Sequence, residues 1–163
     1  MSPSRVYIGF GANLGDRLAT LRVAAAELVG LGRIVARSSV WETEAIGPPP
    51  DYYNAVVALD TELDPEPLLD GLQRIELRHG RERGVARDLP RTLDLDILLW
   101  EGRTLSTPRL EVPHPRLQER GFVLEPLAEI AAQAVHPLLH RTIEGLRDDL
   151  VRARRLRRLQ ESL

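Results

Sequence analysis

The chain of 163 residues contains no cysteine and no lysine. Without cysteine there is no disulfide framework and no thiolate metal site, and a cytoplasmic setting is expected. Without lysine, all 22 basic side chains are arginines, so any contact to phosphate uses planar, bidentate guanidinium forks. Aromatic residues make up 4 % of the chain, too few for a sheet that stacks nucleobases. No apolar run approaches the ~18 residues of a membrane-spanning helix, and residues 1–5 lead straight into a strand-like segment rather than a signal-peptide core. A net charge of −2 gives no overall attraction to nucleic acid. What is present is 43 % hydrophobic and 28 % charged, ordinary for one globular domain, 1–163, with a sizeable core.

Hydrophobic spacing divides the chain into alternating elements. Residues 5–11 (RVYIGFG) predict a strand, and 13–16 (NLGD) supply turn and N-cap chemistry. Leu18, Leu21, Ala25 and Leu28 then repeat at helical spacing, up to Gly30 and Gly32. Residues 34–43 and 52–59 predict strands, separated by a loop at 44–51 (EAIGPPPD), because consecutive prolines cannot join a ladder. Asp64-Pro65-Glu66-Pro67 opens a helix with Leu68, Leu69, Leu72 and Ile75 as its buried stripe. An arginine-dense loop at 80–91 (GRERGVARDLPR) leads into a further strand, and 105–112 predict a short edge strand. Residues 122–131 and 142–163 predict helices, the last with a basic face opposite Leu146, Leu150, Ala153, Leu156 and Leu159. The order predicts an α+β, ferredoxin-like βαββαβ sandwich: an antiparallel sheet with helices on one face, plus C-terminal helices.

The strand within residues 91–100 (RTLDLDILLW) carries the most chemistry. Leu93, Leu95, Ile97 and Leu99 form one face; Thr92, Asp94 and Asp96 form the other, which ends in Leu98 and Trp100. The apolar end predicts an interior strand. Asp94 and Asp96 lie roughly 7 Å apart on a common face. They repel each other unless a cation intervenes. Oxygen donors without cysteine or clustered histidine favour Mg²⁺, which takes one or two carboxylates and completes its shell with water and phosphates. Two carboxylates can also bridge a pair of such ions. An isolated Asp-x-Asp equally suits a solvated strand face paired to arginines.

Glu76 borders the second helix's apolar stripe, as an edge residue or a third acid, with Gln73 one turn earlier. Arg81, Arg83, Arg87 and Arg91 precede the aspartates, and Arg109, His114 and Arg120 follow. As an ordered set they favour a nucleoside triphosphate. His79, His136 and His140 lack metal-ligand spacing and are expected at the surface or in caps. GFGANLGD is no phosphate-binding P-loop, since no GK[ST] follows.

The run PRTLDLDILL, with QRIE and GRERGVAR before it and RLEVPHP and ERGFVLEPL after it, resembles the 6-hydroxymethyl-7,8-dihydropterin pyrophosphokinase (HPPK) family. YIGFGANLGD, WETEAIG and DYYNAVVAL stand in the family's order, so the likeness covers residues 6–131. The resemblance implies Mg²⁺-dependent transfer of the terminal pyrophosphate of ATP to a pterin alcohol in folate biosynthesis, releasing AMP. It implies that Asp94 and Asp96 hold two Mg²⁺ ions and act in catalysis with Arg81 and Arg91. Gln73, Arg81, Arg83, Arg87, Arg91, Ile97, Arg109, His114 and Arg120 would line the ATP side, with Glu76 in support. Thr43, Ile46, Tyr52, Asn54 and Phe122 would form the pterin pocket. The implied partners are ATP and reduced hydroxymethylpterin, with no nucleic acid or membrane, in a monomer or small homo-oligomer. Asp88 and Leu89 depart from the family's usual aromatic and glycine, Glu44-Ala45 replaces a proline-rich pair, Glu111 replaces a small hydroxyl residue, and 151–163 lie beyond the likeness. Two rival readings stay open: a nucleotidyltransferase acting at the α-phosphorus, and an RNA-binding module using the arginine loop and C-terminal helix.

Overall fold

The computed structural model describes residues 2–13, 15–43, 51–80, 93–150 and 156–162, with the backbone alone at 43 and 156–162. The elements run β1 (Ser4–Ala12), α1 (Arg17–Glu27), β2 (Arg33–Arg37), β3 (Ser39–Thr43), β4 (Tyr52–Thr61), α2 (Pro65–Arg78) and β5 (Asp94–Trp100). They continue as β6 (Leu105–Ser106), β7 (Glu111–Val112), α3 (Gly121–Ala131), β8 (Val135–His136), β9 (Arg141–Thr142), α4 (Ile143–Leu150) and β10 (Leu156–Ser162). Local chemistry sets the helix starts. The Asp16 carboxylate caps α1 by accepting from the Ala19 N–H at 3.1 Å. Pro65 occupies the first turn of α2, where its missing N–H is harmless. Among the described residues, no helix is long and apolar enough to cross a membrane.

The main sheet is antiparallel and ordered β10-β3-β4-β1-β5, with β2 also paired to β4. Val6, Ile8 and Phe10 of β1 pack with Leu21 and Leu28, near α1, and with Leu68, Leu72 and Ile75 of α2. Tyr7, Val56, Ala58, Leu98 and Leu99 pack on the other face against Val123, Leu124 and Leu127 of α3 and Ile143 and Leu146 of α4. Helices therefore cover both faces rather than the one expected, because the apolar stripes of α3 and α4 need a second surface to bury against.

Several expected elements are revised. The strand expected at 34–43 breaks at Ser38, whose N–H donates to the Val56 carbonyl (2.9 Å) and whose hydroxyl accepts from the Val56 N–H (2.8 Å). The edge strand expected at 105–112 is instead a separate ribbon, β6 against β7. Of the C-terminal helix expected at 142–163, the described residues hold Ile143–Leu150 as helix, while Leu156–Ser162 is a strand paired with β3. An unpaired β3 edge offers a row of backbone donors and acceptors, and satisfying them overrides local helix propensity.

β5 departs from its expected pattern in two ways. Tyr7 pairs with Leu99 while Ile8 pairs with Ile97, so Leu98 is an extra residue in the ladder. Such a bulge reverses the parity of the residues beyond it. Leu99 thus joins Leu98 on the α3 side, and Trp100 returns to the α1–α2 core, the reverse of strict alternation. Among the described residues β5 is also the last strand of its sheet, not an interior one. Its apolar character comes from cover by flanking chain, as when the His114 N–H donates to the Leu98 carbonyl at 2.8 Å.

Candidate active site

Before the bulge, alternation along β5 sends Leu95 and Ile97 into the α1–α2 core and leaves Asp94 and Asp96 half-buried on the opposite face. The neighbouring strand has no side chains at those positions. Gly11 of β1 stands opposite Asp94 and Gly9 opposite Asp96. One strand further, Asn54 stands opposite Gly11 and Val56 opposite Gly9, and Trp41 of β3 stands opposite Asn54. The result is a trough floored by the backbone of Gly11, with the Leu98 side chain packed over Gly9. Tyr52 and Asn54 form one wall and the two aspartates the other, about 9.6 Å apart by two strand spacings. The floor has little spare room: a Cβ at Gly11 would lie 3.2 Å from Asn54 Oδ1, and one at Gly9 3.2 Å from Leu98 Cδ1.

The start of α3 closes one end. Arg120 Nη1 lies 4.0 Å from Asp96 Oδ2, and the same guanidinium sits 5.6 Å from the centroid of the Phe122 ring. Phe122 packs at the margin of the second core. Tyr52, Asn54, Asp94, Asp96, Arg120 and Phe122 thus gather at one face although they come from three separate stretches of sequence.

A second group forms on α2. Arg109 pairs with Glu66, donates to Asp70 Oδ1 at 2.7 Å and lies 3.4 Å from Gln73 Oε1. His114 is tied to β5 through its backbone, and its Nδ1 accepts from the Arg116 N–H at 3.1 Å. The Ile97 side chain is 3 % exposed within the α1–α2 core, which leaves only its main chain to meet a ligand. Glu76 is 5 % exposed, and its Oε2 accepts from the N–H of Leu95, the residue between the aspartates, at 2.8 Å. Glu76 therefore braces the strand from the α2 side, beneath the trough floor. Ile46, Arg81, Arg83, Arg87 and Arg91, with Asp88 and Leu89, lie outside the described residues, as does the side chain of Thr43.

Sequence reading missed four residues around the trough. Asn13, 1 % exposed, follows the end of β1 directly, and GFGANLGD was read only as turn chemistry. Trp41 donates from Nε1 to Glu129 Oε1 at 2.5 Å, while Glu129 Oε2 accepts from the Ser39 hydroxyl at 2.9 Å. Arg17 grips the trough wall from behind. A buried asparagine was the one detectable signal; the Trp41–Glu129 pair spans 88 positions without a shared periodicity.

Comparison with known proteins shows the family. Residues 7–132 match the family described as 7,8-dihydro-6-hydroxymethylpterin-pyrophosphokinase (HPPK). A 2-amino-4-hydroxy-6-hydroxymethyldihydropteridine pyrophosphokinase of Pseudomonas aeruginosa is 47 % identical over 131 residues, covering 78 % of this chain and 80 % of that one. The protein of the same description from Bacillus subtilis is 45 % identical over 131 residues, 78 % of each chain. A crystal structure of Plasmodium falciparum HPPK-DHPS with pteroate shares the fold, with a TM-score of 0.74 over 93 % of this chain at 17 % identity. This chain spans less than half, 43 %, of that longer one. On the family match and these identities, the chain belongs to the 7,8-dihydro-6-hydroxymethylpterin-pyrophosphokinase family.

Proposed function

We propose that the chain transfers pyrophosphate from ATP to the hydroxymethyl group of 6-hydroxymethyl-7,8-dihydropterin, releasing AMP, in folate biosynthesis. The observation that carries this reading is the row Asp94–Gly11–Asn54, an acid and an amide facing each other across a bare floor, in a member of this family. In the transfer, the hydroxymethyl oxygen bonds to the β-phosphorus as the bond to the α,β-bridging oxygen breaks. AMP leaves with that oxygen, and the hydroxyl proton passes to solvent.

Asp94 and Asp96 suit Mg²⁺. They are hard oxygen donors, half-buried on one face and opposite glycines in the neighbouring strand, and Mg²⁺ held by one or two carboxylates completes its shell with water and phosphate oxygens. When bound, the ions would neutralise triphosphate charge and make a coordinated alcohol more acidic. Arg120, beside Asp96, is suited to hold a phosphate oxygen in line; His114, Arg109 and Gln73 extend the ATP side, and Ile97 contributes main chain. Arg81, Arg83, Arg87 and Arg91 belong to this proposal through the family likeness. Tyr52 and Phe122 offer aromatic faces to a flat pterin, and Asn54 offers both a donor and an acceptor to its edge. Thr43 and Ile46 join the pterin side by the same likeness.

The strand order β3-β4-β1-β5, with α1 and α2 as crossovers, supports a ferredoxin-like core extended by α3, α4 and β10. A single cytoplasmic domain acting as a monomer or small oligomer is part of the same proposal.

The test is product identity. With Mg²⁺, ATP and the reduced pterin, AMP should accumulate only when pterin is present, one per pterin diphosphate formed. Pyrophosphate as the small product would overturn the reading in favour of nucleotidyl transfer. Salt-dependent RNA binding without ATP turnover would overturn it in favour of a binding module.

A further inference from the structure

We infer that Arg17 is a positioning residue for the pterin wall of the trough, an inference that rests on the function proposed above. Arg17 opens α1, on the side of the sheet away from the aspartates. There Glu42 of β3 and Tyr53 of β4 stand opposite each other in the ladder. Side chains alternate along a strand, so Trp41, Tyr52 and Asn54, the neighbours of that pair, turn to the trough.

One guanidinium holds both strands. Its Cζ lies 4.0 Å from the centroid of the Tyr53 ring, and its Nη1 donates to the Asp51 carbonyl at 2.6 Å. The same nitrogen is 3.9 Å from Glu42 Oε2, with the two side chains 23 % and 11 % exposed. Asp51 and Tyr53 are the chain neighbours of Tyr52 on either side, so the grip fixes the backbone from which Tyr52 projects, and Asn54 comes next in the strand. The Asp16 cap anchors the gripping residue itself by fixing the first turn of α1. None of these contacts is to β5 or α2, which carry the acids and the Gln73–Arg109 group. Arg17 therefore governs one substrate and not the other.

Steady-state kinetics with each substrate varied in turn test this. Arg17→Met keeps an unbranched apolar stem against Tyr53 but removes the donors and the charge. It should raise the KM for the pterin roughly tenfold, with kcat and the KM for ATP within about twofold. Arg17→Lys retains charge and reach but lacks the flat fork, and should give a smaller rise confined to the pterin. If Arg17→Met does not fold, the lysine variant carries the same test. An unchanged pterin KM in an active variant, or equal rises for both substrates, would overturn the inference alone. Absence of pterin-dependent AMP from the unsubstituted chain would overturn the function and the inference with it.

Discussion

Leu95 lies between Asp94 and Asp96, and its N–H is satisfied by a carboxylate from another element, Glu76 Oε2 at 2.8 Å. Because β5 ends its sheet among the described residues, that N–H would otherwise be stranded at a covered edge. A hydrogen bond to a charged acceptor contributes about 2 kcal/mol. Glu76→Ala should therefore lower stability by about that amount, melting several degrees earlier. It should also slow pterin-dependent AMP formation, since the backbone between the aspartates is loosened. Glu76→Gln keeps an acceptor oxygen and should recover most of the stability; an alanine variant that melts with the parent would contradict the brace. At this scale Asp94 and Asp96 were legible because they interrupt an apolar alternation. Glu76 was visible as an acid beside an apolar stripe, but its partner was not, because an orphan N–H exists only once β5 is known to be an edge. Arg17 left no signal at all: its contacts reach Asp51 and Tyr53, fixed by tertiary packing rather than spacing.

The turn between β8 and β9 is organised by a histidine. His136 is 4 % exposed, and its Nδ1 accepts from the backbone N–H groups of Leu138 (3.2 Å) and Leu139 (3.1 Å). Burial pushes its pKa below the ordinary 6.5, since the charged ring loses solvation and a protonated Nδ1 cannot accept. The unfolded chain then binds this proton more readily than the folded one. The contribution is complete above about pH 6.5 and is lost as the pH falls through the lower folded value. His136→Asn keeps an acceptor oxygen without a titrating group. Its melting temperature should fall less between about pH 7 and pH 5 than that of the parent, and parallel curves would contradict this role. The histidines are expected from the sequence at the surface or in caps; His136 does cap a turn, but from a buried position. Elements with long periodic stripes, such as α2 and β4, were legible from the sequence. The break at Ser38, the bulge at Leu98 and the strand at Leu156–Ser162 were not, because each answers a backbone group on a distant strand.

Across the whole molecule, the two helical layers do different work. α1 and α2 cover one face of the sheet, while α3 and α4 bury Tyr7, Val56, Ala58, Leu98 and Leu99 on the other and leave the adjoining glycine-floored stretch to the trough. A site set on strands, with its walls fixed by ladder register, holds its groups to the precision that in-line phosphoryl chemistry needs. The order of strands and helices was readable from hydrophobic period. The second layer was not, since a stripe shows that a helix must pack but not on which face of a sheet. The central claim is that this trough, anchored by Asp94 and Asp96, performs the transfer. Pterin-dependent AMP formation by Asp96→Asn at saturating Mg²⁺, alongside its melting curve, tests it most directly. Asp96 is partly exposed and asparagine matches its shape, so the isosteric change should leave melting nearly unaltered. Turnover should fall about 100-fold or more; a folded Asp96→Asn protein that forms AMP at close to the parent rate would contradict the account.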